Sequence, residues 1–563
     1  MGVGAACAGR VRASRMNDFR LTTRPPDPFS AFAPLRHAHF RALWIATVAS
    51  NIGTWMQDVG AAWLMTTLAP SPVMVALVRA ASALPMFLLA LPAGALADVV
   101  DRRRLLLLTQ TWMLVSAALL AALTLAGFTT PGWLLALTAA LAVGTALNAP
   151  AWQAIIPELV PRAQVASAVA LNSTSINLAR SVGPALGGLL IAATGPGATF
   201  ALNALSFGGV IYVLYRWRRT PQPSVLPAER VLGAMRAGLR YVRHSPALLA
   251  ILARETAFIL CASSLWALLP ALARFEFGRG PAGYGVLLGF FGAGAVTVAA
   301  LLPRLRRRAP IDTVVALAVL VFAAALAALA WVPYLGLADV LLFVAGGAWL
   351  TLLSTFNASI QAIVPSWVRG RAFAVSILTF FGGMTLGSIL WGSVAEWLGV
   401  RPALMIAAAG MLLGLALTRR LRLPAGEALD LSPSVPRAAP EHARVVPPEH
   451  GPVVVTVEYR IDPARLREFT RAMGRVRRIR RRDGAISWAL LADVAEPGRY
   501  TETFVVESWL EHLRQHERVT VADRALLDKA RGFHLGGEPP RVTHYVVEPL
   551  GGRSARPGSK PRR

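Results

Sequence analysis

Asp58 in GTWMQDVGAAWL, Arg180 in ALNSTSINLARSVGPALGG, and the neighbours Arg254 and Glu255 in ILARETAFIL are ionisable residues inside otherwise apolar stretches. An ionised side chain at the centre of a bilayer costs about 3 kcal/mol or more, so it persists only where a partner, water or a bound molecule offsets that cost. A carboxylate facing a guanidinium there can take up a proton, release the guanidinium and change the field felt by a charged molecule beside it. Asp58 and Arg180 are expected to form such a pair across a central cavity. A second reading, that Arg180 snorkels or bonds a backbone carbonyl, stands beside the first. Gln57, Asn148, Gln153, Asn177 and Gln361, with Asn51, Asn172, Asn203 and Asn357, are expected to line the cavity or to hydrogen-bond between helices at roughly 0.6 kcal/mol each.

A second kind of chemistry is offered by GALADVVDRRR, residues 94–104. An apolar run stops at Asp98, passes Asp101 and Arg102, Arg103 and Arg104, and restarts as another apolar run. Such a turn must lie at a water interface. Asp98 at the end of one helix could pair with arginines, or with the positive N-terminal end of a neighbouring helix, in one conformation only. The corresponding LPRLRRR at 302–308 keeps the arginines and lacks the aspartate.

The elements that position these groups follow from the apolar runs. The 563 residues are 55% hydrophobic and 15% charged, which puts the bulk of the chain in the membrane class. Runs of roughly 20 residues, the length that spans a bilayer core, recur near 40–67, 73–97, 105–127, 132–157, 165–193, 198–216, 247–272, 283–303, 311–332, 335–364, 371–397 and 401–418. This predicts an all-α membrane protein with twelve transmembrane helices in two six-helix halves, 37–216 and 247–422, separated by a linker over 217–246 that carries an amphipathic helix. The formal charge of +27 does not point to nucleic acid, because Arg36, Arg41, Arg102 to Arg104, Arg162, Arg304 to Arg308, Arg369, Arg371 and Arg419 to Arg422 all fall in loops on one side. By the same bias both termini are expected in the cytoplasm and the chain in the inner membrane, multi-pass. Gln153-Ala-Ile-Ile-Pro157 and Gln361-Ala-Ile-Val-Pro365 mark an internal repeat, and Gly183 and Gly387 another pair of equivalent points.

Outside the spans, residues 1–36 read as a disordered basic tail without a cleavable signal pattern, 423–450 as a linker, and 550–563 as a second disordered tail. Residues 451–549 alternate strand and helix patterns in the order βαββαβ, as expected for a small cytoplasmic α+β ferredoxin-like domain able to self-associate. His512 and His516 lie four apart on one helix, a spacing that can serve a metal, but no Glu follows the first His and no metal is expected. Cys7 and Cys261 imply no disulfide framework. No phosphate loop, nucleotide motif or nucleophile triad is present, so neither a cofactor nor coupling to ATP is expected.

Gly94, Asp98 and the arginines that follow resemble the loop signature of the major facilitator superfamily. Gly183, Pro184, Gly187 and Gly188 resemble the glycine and proline motif of its exporters. The stretches 53–64, 94–104, 148–162 and 170–188 resemble one branch, the enterobactin-exporter-like transmembrane secretion effector group. RRRDGAISW and ESWLEHLRQHERVTVAD are similar to the antibiotic-biosynthesis-monooxygenase type of domain carried as a tail by some members. The resemblance implies a secondary transporter exporting a small siderophore-like or drug-like molecule by alternating access in exchange for protons, and no enzyme. A membrane-tethered enzyme acting through its tail, and a facilitator-type importer, are the alternatives. The arginine that the superfamily often carries in span four is absent from ALAVGTALNAPAW.

Overall fold

The computed structural model describes residues 32–217, 238–332, 335–365, 367–423, 430, 432, 434, 447 and 449–548, without the side chains of residues 95, 98, 99 and 335. Residues 1–31 of the expected 1–36 tail, the expected 550–563 tail and most of the expected linker helix, 218–237, lie outside the described residues; Ala33–Arg36 forms a 3-10 turn and 238–243 is helical.

Twelve long helices run in the order α1 (Ala38–Leu68), α2 (Pro72–Val99), α3 (Arg102–Leu125), α4 (Pro131–Ile155), α5 (Val165–Thr194), α6 (Pro196–Arg216), α7 (Pro246–Ala271), α8 (Pro281–Arg308), α9 (Ile311–Trp331), α10 (Leu335–Ile363), α11 (Arg369–Leu398) and α12 (Val400–Thr418). Eleven are long and apolar enough to cross a membrane. The exception is α1, whose Asn51, Thr54, Gln57 and Asp58 dilute its apolar character. The chain starts helices where local chemistry favours it. Pro72, Pro131, Pro196, Pro246 and Pro281 sit at helix starts, where the missing N–H has no helical partner to lose. Ser71, Asp101 and Thr130 accept hydrogen bonds from the backbone N–H of Met74, Arg104 and Trp133.

The repeat is visible in three dimensions. Gly195 (φ 86°) alone separates α5 from α6, and Gly399 (φ 92°) alone separates α11 from α12. A Cβ on Gly183 would meet Trp55 and the Ile52 carbonyl of α1; one on Gly387 would meet Ser263 and the Leu260 carbonyl of α7. The two sixes therefore pack their fifth helix on their first in the same way. They meet through α2 against α11 and α5 against α8.

After α12 the chain forms β1 (Val453–Arg460), α13 (Leu466–Asp483), β2 (Ser487–Ala492), β3 (Arg499–Val506), α14 (Trp509–Arg518), α15 (Val521–Arg531) and β4 (Arg541–Val546). The sheet order is β2-β3-β1-β4, with antiparallel neighbours throughout, as in a ferredoxin-like sandwich. Buried Val457 and Tyr459 of β1 pack with Phe469, Met473 and Val476 of α13. The one helical stretch expected over 509–531 is two helices, because Thr520 and Asp523 form a capping box that starts α15 afresh.

His512 and His516 of α14 lie with Nε2 atoms 3.2 Å apart, and the His544 ring centroid is 4.8 Å from that of His512. Among the described residues no group of three or more His, Cys, Asp or Glu could hold a metal. Desolvation in this cluster, then the positive charge of Arg480, His544, Arg524 and Arg531, pushes the His516 imidazole down to about 4. In the unfolded chain it protonates near 6.5. As pH falls from 6.5 towards 4 the unfolded state therefore binds the proton first, and the tail loses stability across that window. Thermal unfolding of the purified chain followed through the tail's tryptophans should show this slope, and His516→Gln should flatten it.

Candidate functional site

The helices fall into register with one end rich in arginine and the other poor. Near the arginine-poor end, side chains from both sixes enclose a cavity lined by Trp55, Asp58, Val59, Ala62, Val75, Val78, Arg79, Ser82, Trp266, Pro270, Tyr284 and Leu288. Asp58 comes from α1, Arg79 and Ser82 from α2, Trp266 from α7 and Tyr284 from α8. The Arg79 guanidinium lies 5.3 Å from the Trp266 ring centroid, and its Nε is buried without a hydrogen-bond partner. Arg180 of α5 lies 5.8 Å over Trp55, whose ring is 6.3 Å from Trp266. The charge acting on both Asp58 and Arg180 is Arg79. The cavity thus holds one carboxylate and a guanidinium on an aromatic floor, with a second guanidinium on one of its ring walls.

Above the cavity the arginine-poor end is closed. Trp63 stacks with Tyr284 at 6.3 Å, Arg274 lies over Trp63 and donates to Thr66 at 3.1 Å, and Ser71 donates to Glu396 at 2.7 Å. A Cβ on Gly188 would stand 2.7 Å from the Pro281 carbonyl oxygen and 2.8 Å from Gly285 Cα, and one on Gly392 would stand 2.6 Å from the Ala76 side chain. Glycine is needed there because backbone meets backbone across the two sixes. Gly187 packs on Met56 and Gly183 on Trp55, so Gly183, Gly187 and Gly188 serve two interfaces at once: α5 on α1 within one six, and α5 on α8 between sixes. Pro184 presents its carbonyl to Gly285 in the second. Along α5, Val169, Ser173, Thr174, Ile176 and Asn177 on the arginine-rich half and Leu186 and Leu189 on the arginine-poor half are exposed.

The sequence-derived candidates are only partly brought together. Asp58 and Arg180 do not form the expected pair: the Trp55 ring takes Arg180, and Arg79, which sequence reasoning misses, is the charge beside Asp58. Gln57 is buried and accepts from Asn203 at 2.6 Å, and Asn148 accepts from Thr109 at 3.0 Å and Gln110 at 3.3 Å, so both tie helices together. Arg254 pairs with Asp312 at 2.5 Å and reaches the Thr418 carbonyl, and Glu255 accepts from Ser376 at 2.9 Å. These two lie on the arginine-rich third of α7, away from the cavity. Gln153, Asn177 and Gln361 are exposed.

The 94–104 turn is anchored to its own six. Asp101 caps α3, Arg102 pairs with Glu158 at 2.8 Å, and Arg103 donates to the Leu214 and Tyr215 carbonyls at the end of α6. Arg104 is exposed. A Cβ on Gly94 would meet nothing within 4 Å. Asp98 closes α2, and its side chain lies outside the described residues.

Two equivalent sixes around a charged cavity closed at one end define a facilitator-type membrane transporter. The family described as transmembrane secretion effector matches residues 29–550, and the chain belongs to it. It is 31% identical over 157 residues to the staphyloferrin A transporter of Staphylococcus aureus, 28% of this chain and 40% of that protein. It is 28% identical over 386 residues to the multidrug efflux pump Tap of Mycolicibacterium fortuitum, 65% of this chain and 92% of that protein. Among solved structures it shares the fold of the nucleoside transporter NupG (D323A mutant), at a TM-score of 0.56 and 13% identity over 68% of this chain and 99% of that one. It also shares that of a bacterial homologue of the human lysosomal transporter Spinster, at a TM-score of 0.55 and 16% identity over 71% and 98%.

Proposed function

We propose that the chain exports a small organic molecule from the cytoplasm by alternating access, driven by the proton gradient, and that it is not an enzyme. The observation that carries this reading is the cavity around Asp58, Arg79 and Trp266, closed towards the arginine-poor side. In this reading access is from the arginine-rich side, which positive-inside bias makes cytoplasmic. Relatives that transport a siderophore or extrude drugs support export. With Arg79 and Arg180 against one carboxylate, the cavity favours a substrate bearing an anionic group and a flat ring to lie against Trp55 and Trp266. Exposed Asn177, Gln153 and Gln361 line its way in.

Asp58 is the proton site in this reading. Protonation removes the negative charge beside Arg79 and changes what that guanidinium holds. Asp58→Asn is therefore expected to leave transport nearly independent of an imposed pH gradient, measured by uptake into inside-out vesicles; an unchanged pH response would refute the assignment. The 94–104 turn closes the cytoplasmic side in the other state. Gly94, which packs on nothing here, leaves room for that approach, and Asp98 forms its pairing there. Asp98→Asn is expected to lower transport at least about tenfold, some 1.4 kcal/mol, with the protein still folded in the membrane. Full activity would remove the turn from the gate.

A further inference from the structure

The β4-containing tail is held against the membrane helices by a built interface. On the membrane side stand Arg240 and Tyr241, from the helical turn before α7, and Trp367, from the loop between α10 and α11. On the tail side stand Arg482 at the end of α13 and Glu511 and Arg518 of α14. Arg518 lies 4.7 Å over Trp367 and Arg482 lies 5.4 Å over Tyr241, while Tyr241 and Trp367 meet edge-on at 5.7 Å. The result is an edge-on pair of rings with a guanidinium over each. Its charges are answered in place. Arg240 pairs with Glu511 at 3.0 Å, and Glu511 also takes Arg518 at 2.6 Å. Arg482 is held by Asp483 at 2.8 Å and Asp523 at 2.7 Å. Tyr241 is 2% exposed, Arg518 6% and Asp483 0%. Stacked guanidiniums shielded from water contribute more than surface ion pairs.

Among the described residues, the membrane-side anchors are Arg240 and Tyr241 at the end of the linker that enters α7, and Trp367 of the second six. The turn carrying Tyr241 leads into α7, and Trp367 leads into α11; the two are further joined by Gly238, where a Cβ would stand 2.7 Å from the Arg371 side chain. The second six also lacks the aspartate in its 302–308 turn. The geometry points to the tail as a permanent clamp on the second six: it fixes the entries of α7 and α11 to each other and travels with that half through the transport cycle. It is not a lid that leaves its seat to let the halves move. The clamp does there, by stacking, the fastening that the 94–104 turn does by ion pairs in the first six.

The test uses the full chain in liposomes, with Cys7→Ser and Cys261→Ser and spin labels introduced in pairs. One pair joins the tail at Lys529 to the second six at Arg308; another joins Lys529 to the first six at Arg162. Distances are compared between the parent and Gly188→Leu, which cannot close the arginine-poor end. The expected result is an unchanged, narrow tail-to-second-six distance and a shifted tail-to-first-six distance. A tail that moves away from the second six overturns the proposal. Should Gly188→Leu fail to fold or to shift either distance, the double variant Trp367→Ala, Arg518→Ala decides within the resting state. The proposal requires its tail-to-second-six distribution to broaden, and an unchanged width contradicts it.

Discussion

Arg79→Gln is expected to lower transport of aromatic organic anions by about 10- to 100-fold while leaving the protein in the membrane. The size follows from the geometry. A charge-assisted hydrogen bond is worth about 1.5–3 kcal/mol, and 1.4 kcal/mol is a factor of ten. The Arg79 Nε is buried without a hydrogen-bond partner, and the guanidinium faces the cavity over the Trp266 ring, where an anionic group of a substrate would meet it. Glutamine keeps a donor and much of the length and removes the charge, so a purely structural arginine would be replaced with little effect on transport. Carboxyfluorescein uptake into inside-out vesicles, with a flat, multiply anionic probe, measures the loss. Arg180→Gln, one ring further from the cavity, should lose less. If both variants transport as the parent does, the cavity is not where the anion binds.

Gly188→Leu is expected to have the largest conformational effect. A side chain there meets the Pro281 carbonyl and Gly285 Cα, both backbone, and neither can rotate aside. Overpacking of this kind costs about 1–3 kcal/mol. That cost falls only on the state in which α5 and α8 touch, because the contact is between the two sixes. The equilibrium should therefore move away from the closed arginine-poor end, and transport should stop while folding persists. Thiol labelling of a cysteine placed at Tyr284, with an impermeant reagent added from the arginine-poor side, reports the shift. In the parent this position is buried under Trp63 and should react slowly; in Gly188→Leu it should react at least about tenfold faster.

Much of this architecture is legible in the chain because the physics is one-dimensional. Twelve apolar runs and the Gly183 and Gly387 equivalence specify the helices and the two sixes without knowledge of contacts. The tail's strands are legible from alternation in VVVTVEYR. The break at Thr520 carries its own signal in Thr520-Val-Ala-Asp523, a capping pattern that a long helical reading overrides. The site is less legible. Arg79 in PVMVALVRAASALP carries the same signal as Arg180, and the sequence reading overlooks it two turns into α2. Its place beside Asp58 depends on how α2 is rotated against α1 and α7, which no linear pattern states. The Asp58 and Arg180 expectation fails for the same reason, since Trp55 occupies the space between α1 and α5. Arg254 and Glu255 are held by Asp312 and Ser376, partners that lie far along the chain and carry no local pattern.

The central claim is that this chain moves a small organic molecule across the membrane through the Asp58 and Arg79 cavity. Inside-out vesicles carrying the parent or the Arg79→Gln variant, energised to be acid inside and incubated with a cell extract or with carboxyfluorescein, test it directly. Accumulation is expected in the parent alone, and is lost when an ionophore collapses the pH gradient. Accumulation no greater than in vesicles without the protein, or equal in the variant, would contradict it.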